Sequence, residues 1–290
     1  MTYKILTDSS IDMNRSFLKD IDVGIINYKY DLDGKCYPDD SFSLSYEDFY
    51  QALDQGKSSK TSAINTLEYI EFFETYLMED LDILYIGLSS QLSSSFNNAL
   101  KAKEELNEKY PERKIVLVDS RLASSSVGLI IKRLNEFKVE GKSLDFLSQW
   151  VEGNKQRFQT WISSTDLSFL LKGGRLSKAF TYLDSAIKIC PLLTINYEGK
   201  LSMEEKYRSK KKAYQHLIDL YDRDGIKDKP LIISYSASIE NAEYFKEILL
   251  KRHPEVENLI HIDRIGTTIG SHTGPTTLIF CFESQKDIGI

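Results

Sequence analysis

Short apolar runs of strand length alternate along this chain with longer stretches whose apolar positions recur at helical spacing. The runs are Lys4-Ile5-Leu6, Leu84-Tyr85-Ile86-Gly87-Leu88, Val116-Leu117-Val118, Trp161-Ile162 and Ile232-Ile233. Helical spacing covers 46–55, 66–78, 96–109 and 127–139. This alternation predicts a largely parallel sheet covered by helices. Asn65 and Glu68 have capping-box spacing at the start of the second helix, and Gly141 stands just past the fourth as its C-cap.

The pattern changes around 143–160, where a helical stretch over 144–151 and the polar Glu152-Gly153-Asn154-Lys155 lead into a different arrangement. A domain transition is placed there. Residues 1–155 are expected to form an N-terminal α/β domain with a largely parallel sheet, and 156–290 a C-terminal α/β domain with a mixed sheet and helices. In the second half, helical patterns cover 167–171, 180–189, 210–221 and 241–250, and strand patterns cover 231–234, 259–262 and 278–282. Leu192-Leu193-Thr194-Ile195 and Leu201-Ser202-Met203 read as a β-hairpin turning at Glu198-Gly199.

At 290 residues the chain has room for two domains or one large one. Its 41% hydrophobic and 28% charged residues are globular, and a net charge of -6 argues against a surface built for nucleic acid or anionic membranes. Met1-Thr2-Tyr3-Lys4 enters a strand pattern with no signal h-region, and no run of about 18 apolar residues occurs, so a cytoplasmic protein without a membrane segment is expected. Cys36, Cys190 and Cys281 are far apart and odd in number, and the histidines at 216, 253, 261 and 272 show no zinc spacing. Neither a disulfide framework nor a metal site is expected.

Each of the five apolar runs ends in small hydroxyl residues: Thr7-Asp8-Ser9-Ser10, Ser89-Ser90 with Ser93-Ser94-Ser95, Asp119-Ser120, Ser163-Ser164-Thr165 and Ser234-Tyr235-Ser236. Ligands of open α/β sheets sit at the carboxyl ends of the strands, where helix N-termini direct free N–H groups. Neutral donors there, with no base beside them, point to an anion that is held and not attacked. Thr61-Ser62-x-x-Asn65 precedes the second helix, where capping alone would also account for it. The five serines in 89–95 exceed what one cap needs. The segment 266–275 reads as a Gly-rich loop with His272 at its centre, and Arg175 follows two glycines that would let it reach an anion. Arg208 begins a basic run that is equally a solvated helix face.

The phosphate-binding GxxxxGK[ST], the dinucleotide GxGxxG and the GxSxG nucleophile elbow are absent. Asp8 has a serine, Ser10, where an aspartate-based phosphatase places its second carboxylate.

Taken in order, Thr7-Asp8-Ser9-Ser10, Thr61-Ser62-x-x-Asn65, Ser89-Ser90-x-Leu92-Ser93, Asp119-Ser120, Lys172-Gly173-Gly174-Arg175 and Ile269-Gly270-Ser271-His272-Thr273-Gly274-Pro275 resemble the DegV family over essentially the whole chain. The resemblance implies a two-domain α/β protein that binds one long-chain fatty acid between its domains. It further implies the fatty-acid-binding subunit of bacterial fatty acid kinase, whose ATP-binding partner forms an acyl phosphate for phospholipid synthesis. By it, Thr61 and Ser93 hydrogen-bond the carboxylate with His272 close by, and Arg175 and Arg208 face the partner or the transferred phosphate. Asp8, Ser9, Ser62, Asn65 and Thr273 belong to the supporting motifs. The chain departs from the family pattern at Ser94 and Ser95, often Gly and Thr, at Thr267, often Pro, and at Thr276, often a small residue. These changes bear on cavity shape and acyl preference.

A buried tail of ~14 methylenes gains on the order of 11 kcal/mol before ordering costs. Its carboxylate needs two or three donors, since each returns only about 1.5–3 kcal/mol. Two other readings stand beside this one: a stand-alone hydrolase or phosphatase using Asp8 or a serine of 89–95, and a regulatory module for a small polar anion.

Overall fold

The structure, a computed structural model, describes residues 2–13, 18, 21–176 and 189–288. The first half carries strands β1 (Tyr3–Asp8), β2 (Val23–Ile26), β3 (Lys29–Leu32), β4 (Lys35–Pro38), β5 (Ser59–Ser62), β6 (Asp82–Gly87) and β7 (Ile115–Asp119). Its described helices are α1 (Tyr46–Asp54), α2 (Thr66–Leu77), α3 (Ser95–Lys109), α4 (Ser125–Val139) and α5 (Leu144–Asn154). The second half carries β8 (Phe158–Ser163), β9 (Cys190–Ile195), β10 (Leu201–Tyr207), β11 (Leu231–Tyr235), β12 (Ile260–Arg264) and β13 (Leu278–Glu283), with helices α6 (Ser168–Lys172), α7 (Lys210–Asp224), α8 (Ile239–Arg252) and α9 (Thr267–Thr273).

Three sheets result. Strands β2-β1-β6-β7 form a wholly parallel sheet, as the βα alternation predicts. Strands β10-β9-β8-β13-β11-β12 form a mixed sheet in which only β11 and β12 are parallel neighbours. A third, antiparallel sheet, β4-β3-β5, has no counterpart in the pattern reading, because its strands are four residues long and half polar. Thr61 and Ser62 therefore lie in a strand, three residues ahead of the helix they were expected to introduce.

Period-two alternation divides the mixed sheet between two cores. In β13, Leu278, Phe280 and Phe282 face α7 and α8, while Ile279 and Cys281 face the first half of the molecule. Helix α4 lies between the parallel and mixed sheets and is buried through most of its length, which explains why a surface helix's amphipathic stripe is faint there.

Local signals hold where the chain alone decides them. Asn65 accepts from Glu68 N and the Glu68 carboxylate accepts from Asn65 N, completing the capping box. Gly141 follows α4 at φ +79°, and Gly199 turns the β9–β10 hairpin at φ +85°. The segment 266–275 differs from expectation: it is helix α9, entered at Gly266 and left at Gly274 with φ +75°. Its N-terminus is held from outside, which local sequence cannot reveal. Asp12 accepts from Gly266 N at 2.8 Å, and Asp39 accepts from the Thr267 hydroxyl at 2.7 Å. Of the helical pattern over 180–189, residues 180–188 lie outside the described residues.

Candidate functional site

The chain segments that follow β6 and β7, strand β5, helix α9 and the inner face of the mixed sheet line a cavity that is partly open to solvent, with about 630 Å³ of empty space counting that open part. Leu88, Leu92, Ala123, Ile162, Ile195 and Leu201 give it apolar walls, and both halves of the chain contribute. Its polar lining includes Tyr28, Thr61, Ser93, Arg175, Thr268 and His272, with Ser62 and Thr273 beside them. This is the make-up of a small-molecule site, apolar walls with a few placed polar groups.

Each polar group is held by named neighbours. The Thr61 hydroxyl and His272 Nε2 are 2.8 Å apart. The Ser93 hydroxyl is 2.9 Å from the Ser95 hydroxyl, and the latter accepts from Ile64 N at 3.1 Å. Ser95 thus couples the segment carrying Thr61 to the one carrying Ser93. Arg175 donates through Nε to the Leu92 carbonyl and through Nη1 to the Gly173 carbonyl, at 3.0 and 2.6 Å. Gly173 must lack a side chain, since a Cβ there would sit 2.5 Å from His272 Nδ1.

Burial, assisted by the Arg175 guanidinium, pushes the His272 imidazole down to about 4, so it is neutral at pH 7. Burial also lowers Arg175 from its ordinary value, and among the described residues no carboxylate forms an ion pair with it. Among the described residues, three buried polar atoms of the lining, Tyr28 Oη, Thr268 Oγ1 and His272 Nδ1, have no partner at full hydrogen-bonding geometry, and the Ser93 and Ser95 hydroxyls come near the first of them. Such atoms cost roughly 1–3 kcal/mol each when left unpaired, so their gathering in one cavity favours a polar ligand group.

Of the residues named from sequence, Thr61, Ser62, Ser93, Arg175, His272 and Thr273 line this cavity. Asn65 caps α2, and Ser9 accepts from Tyr28 N while donating to Asp39. Asp8 lies away from the cavity lining, 1% exposed, with Ser10, Tyr85 and Leu88 donating to its two oxygens. Arg208 is exposed just past the end of β10, whereas Leu201 reaches the cavity at the strand's start, seven residues and roughly 23 Å away.

The expectation for the five hydroxyl clusters is corrected. Only the one after β6 places a hydroxyl, Ser93, in the cavity wall. Most of the others bond within the protein: Ser234 to Ser125 at 2.7 Å, Ser164 to Thr276 at 3.1 Å, and Ser120 to the backbone of Leu122. Arg175 lines the same cavity as the Thr61 and Ser93 hydroxyls. Tyr28 and Thr268 escaped the sequence reading. Tyr28 lies between two four-residue strands with no motif around it, and Thr268 was absorbed into a supposed loop.

Comparison with known proteins identifies the family and the fold. A family model described as uncharacterised protein, DegV family, matches residues 2–285. A DegV domain-containing protein of Clostridium perfringens is 34% identical over 283 residues, covering 97% of each chain. A DegV family protein from Thermus thermophilus, whose structure is described by its fatty acid binding, matches with a TM-score of 0.86 at 25% identity, covering 98% of this chain and 100% of that one. The fatty acid kinase (Fak) B3 protein of Streptococcus pneumoniae, loaded with linoleic acid, shares the fold at a TM-score of 0.85 and 21% identity, covering 98% and 99%. Matched by the family model over residues 2–285 and by a 34% identical relative over 97% of its length, the chain belongs to the DegV family.

Proposed function

We propose that this protein binds one long-chain fatty acid and presents its carboxylate to a partner ATP-dependent kinase, which forms the acyl phosphate used in phospholipid synthesis. The observation that carries the reading is the cavity itself, with its apolar walls and its cluster of unpartnered polar atoms beside an arginine free of any described carboxylate. The DegV relative described by its fatty acid binding supports the ligand class.

In this reading the hydroxyls of Thr61 and Ser93 donate to the carboxylate, and neutral His272 stands at its side. Arg175 adds favourable charge, but two of its donors are committed to backbone carbonyls. The carboxylate therefore escapes the bidentate clamp that would blunt its nucleophilicity. One of its oxygens forms the new bond to the γ-phosphorus while the bond to the β–γ bridging oxygen breaks and ADP leaves. Arg208, remote from the cavity, acts only toward the partner.

The chain itself is not the catalyst. Thr61 and His272 have the spacing of a nucleophile and its base, yet an imidazole held near 4 is a poor base at pH 7, and among the described residues its Nδ1 lacks an orienting partner. Asp8, with its oxygens occupied, cannot attack a substrate in the cavity. Turnover of an acyl or phosphoryl ester by the isolated protein would reverse this assignment.

The test is denaturing mass spectrometry of an organic extract. Wild-type protein should release a long-chain fatty acid in about equimolar amount, and the double variant Thr61→Val, Ser93→Ala should release little while keeping its circular dichroism. Normal lipid content in that variant rejects the two donors, and an extract without fatty acid rejects the reading.

A further inference from the structure

Resting on the fatty-acid reading of the cavity, we infer that the Tyr28 hydroxyl is a further head-group donor, a role no motif assigns to it. Tyr28 is 2% exposed and lines the cavity with Ser93, Arg175 and His272. Its ring is wholly enclosed, and among the described residues its hydroxyl has no partner at full hydrogen-bonding geometry, with the Ser93 and Ser95 hydroxyls the groups close enough to interact with it. The serines beside it, Ser93 and Ser95, are bonded to each other. Burial and the nearby Asp8 carboxylate push the phenol above its ordinary range, so it stays protonated and available as a donor.

The backbone around it is fixed from two sides. Tyr28 N donates to the Ser9 hydroxyl at 3.0 Å, and Tyr28 O accepts from Asp39 N at 2.9 Å. Asp39 also holds the start of α9, the helix that ends near His272. Ser9, assigned only a supporting role from sequence, thus locates a donor that sequence did not name. A preorganised donor of this kind costs little to use when an anion arrives, because neither its rotamer nor its backbone has to be ordered first.

The inference separates two kinds of buried hydroxyl. If the Tyr28 hydroxyl served the fold, removing it would break a hydrogen bond and destabilise the protein. If it serves the ligand, removing it relieves an unpaired polar atom in the ligand-free protein and weakens only the complex.

The experiment compares delipidated wild type with Tyr28→Phe, titrating oleate and its methyl ester calorimetrically and recording thermal midpoints without ligand. The variant should bind oleate about 10-fold or more weakly, with a smaller change for the ester, and should melt no lower than wild type. Oleate affinity within about twofold of wild type, or a lowered midpoint of the ligand-free variant, overturns the role. Failure of the wild type itself to bind oleate overturns the fatty-acid reading instead, and the Tyr28 assignment with it.

Discussion

His272 carries the clearest pH signature of any single side chain in the cavity. Its imidazole titrates near 4 in the folded protein against about 6.5 in an unfolded chain, because burial and Arg175 disfavour the cation. Between those values the unfolded state binds more protons, so this residue's contribution to stability is complete above about pH 6.5 and lost as pH falls through 4. Asp8 and Asp12, raised by burial, act in the opposite sense. The difference between proteins is therefore the informative quantity: in denaturant titrations between pH 7 and 4, the ligand-free His272→Gln variant should lose less stability than wild type. Equal losses would show that His272 titrates normally. At this scale the sequence exposed His272, Thr61 and Ser93 through motifs, but not Tyr28 or Thr268. Whether a buried hydroxyl is satisfied depends on neighbours that the chain does not place beside it.

Among the elements, α2 and α9 contrast in how their starts are secured. The capping box of α2 is entirely local, and Asn65→Ala should cost about 1 kcal/mol in chemical denaturation while leaving lipid content unchanged. A loss of lipid would mean that Asn65 reaches the ligand. The start of α9 depends on Asp12 and Asp39, each more than 220 residues away, which is why a segment rich in Gly and Thr reads as a loop in isolation and becomes a helix in place. Helix α6 meets α9 at Gly173, whose hydrogen makes room for the imidazole. Gly173→Ala should displace His272 and lower fatty acid retention several-fold without unfolding the protein, measurable by extraction and circular dichroism. Retention equal to wild type would show that the ring can shift without consequence.

Over the whole molecule, the boundary we propose between residues 155 and 156 separates sheets, not cores. One continuous apolar core runs from Ile5 of β1 through α4 to Ile279 of β13. The two halves should therefore unfold together, with tryptophan fluorescence from Trp150 and Trp161 and far-ultraviolet circular dichroism giving one coincident transition. Leu134→Ala, in the buried helix between the sheets, should lower stability by about 2–5 kcal/mol and shift both probes equally. Separate transitions would make the halves independent units. The sequence by itself determined the alternation of strands and helices, the caps, the hairpin turn and the motifs of the family, because each follows from residues within a few positions of one another. Tertiary structure alone decided which hydroxyls face the cavity and which pair elsewhere. Thr61 and His272 are 211 residues apart, and Ser125 and Ser234 are 109 apart. A hydroxyl's chemistry is identical in both settings, and only the packing of distant segments assigns it to a ligand or to the protein's own polar contacts.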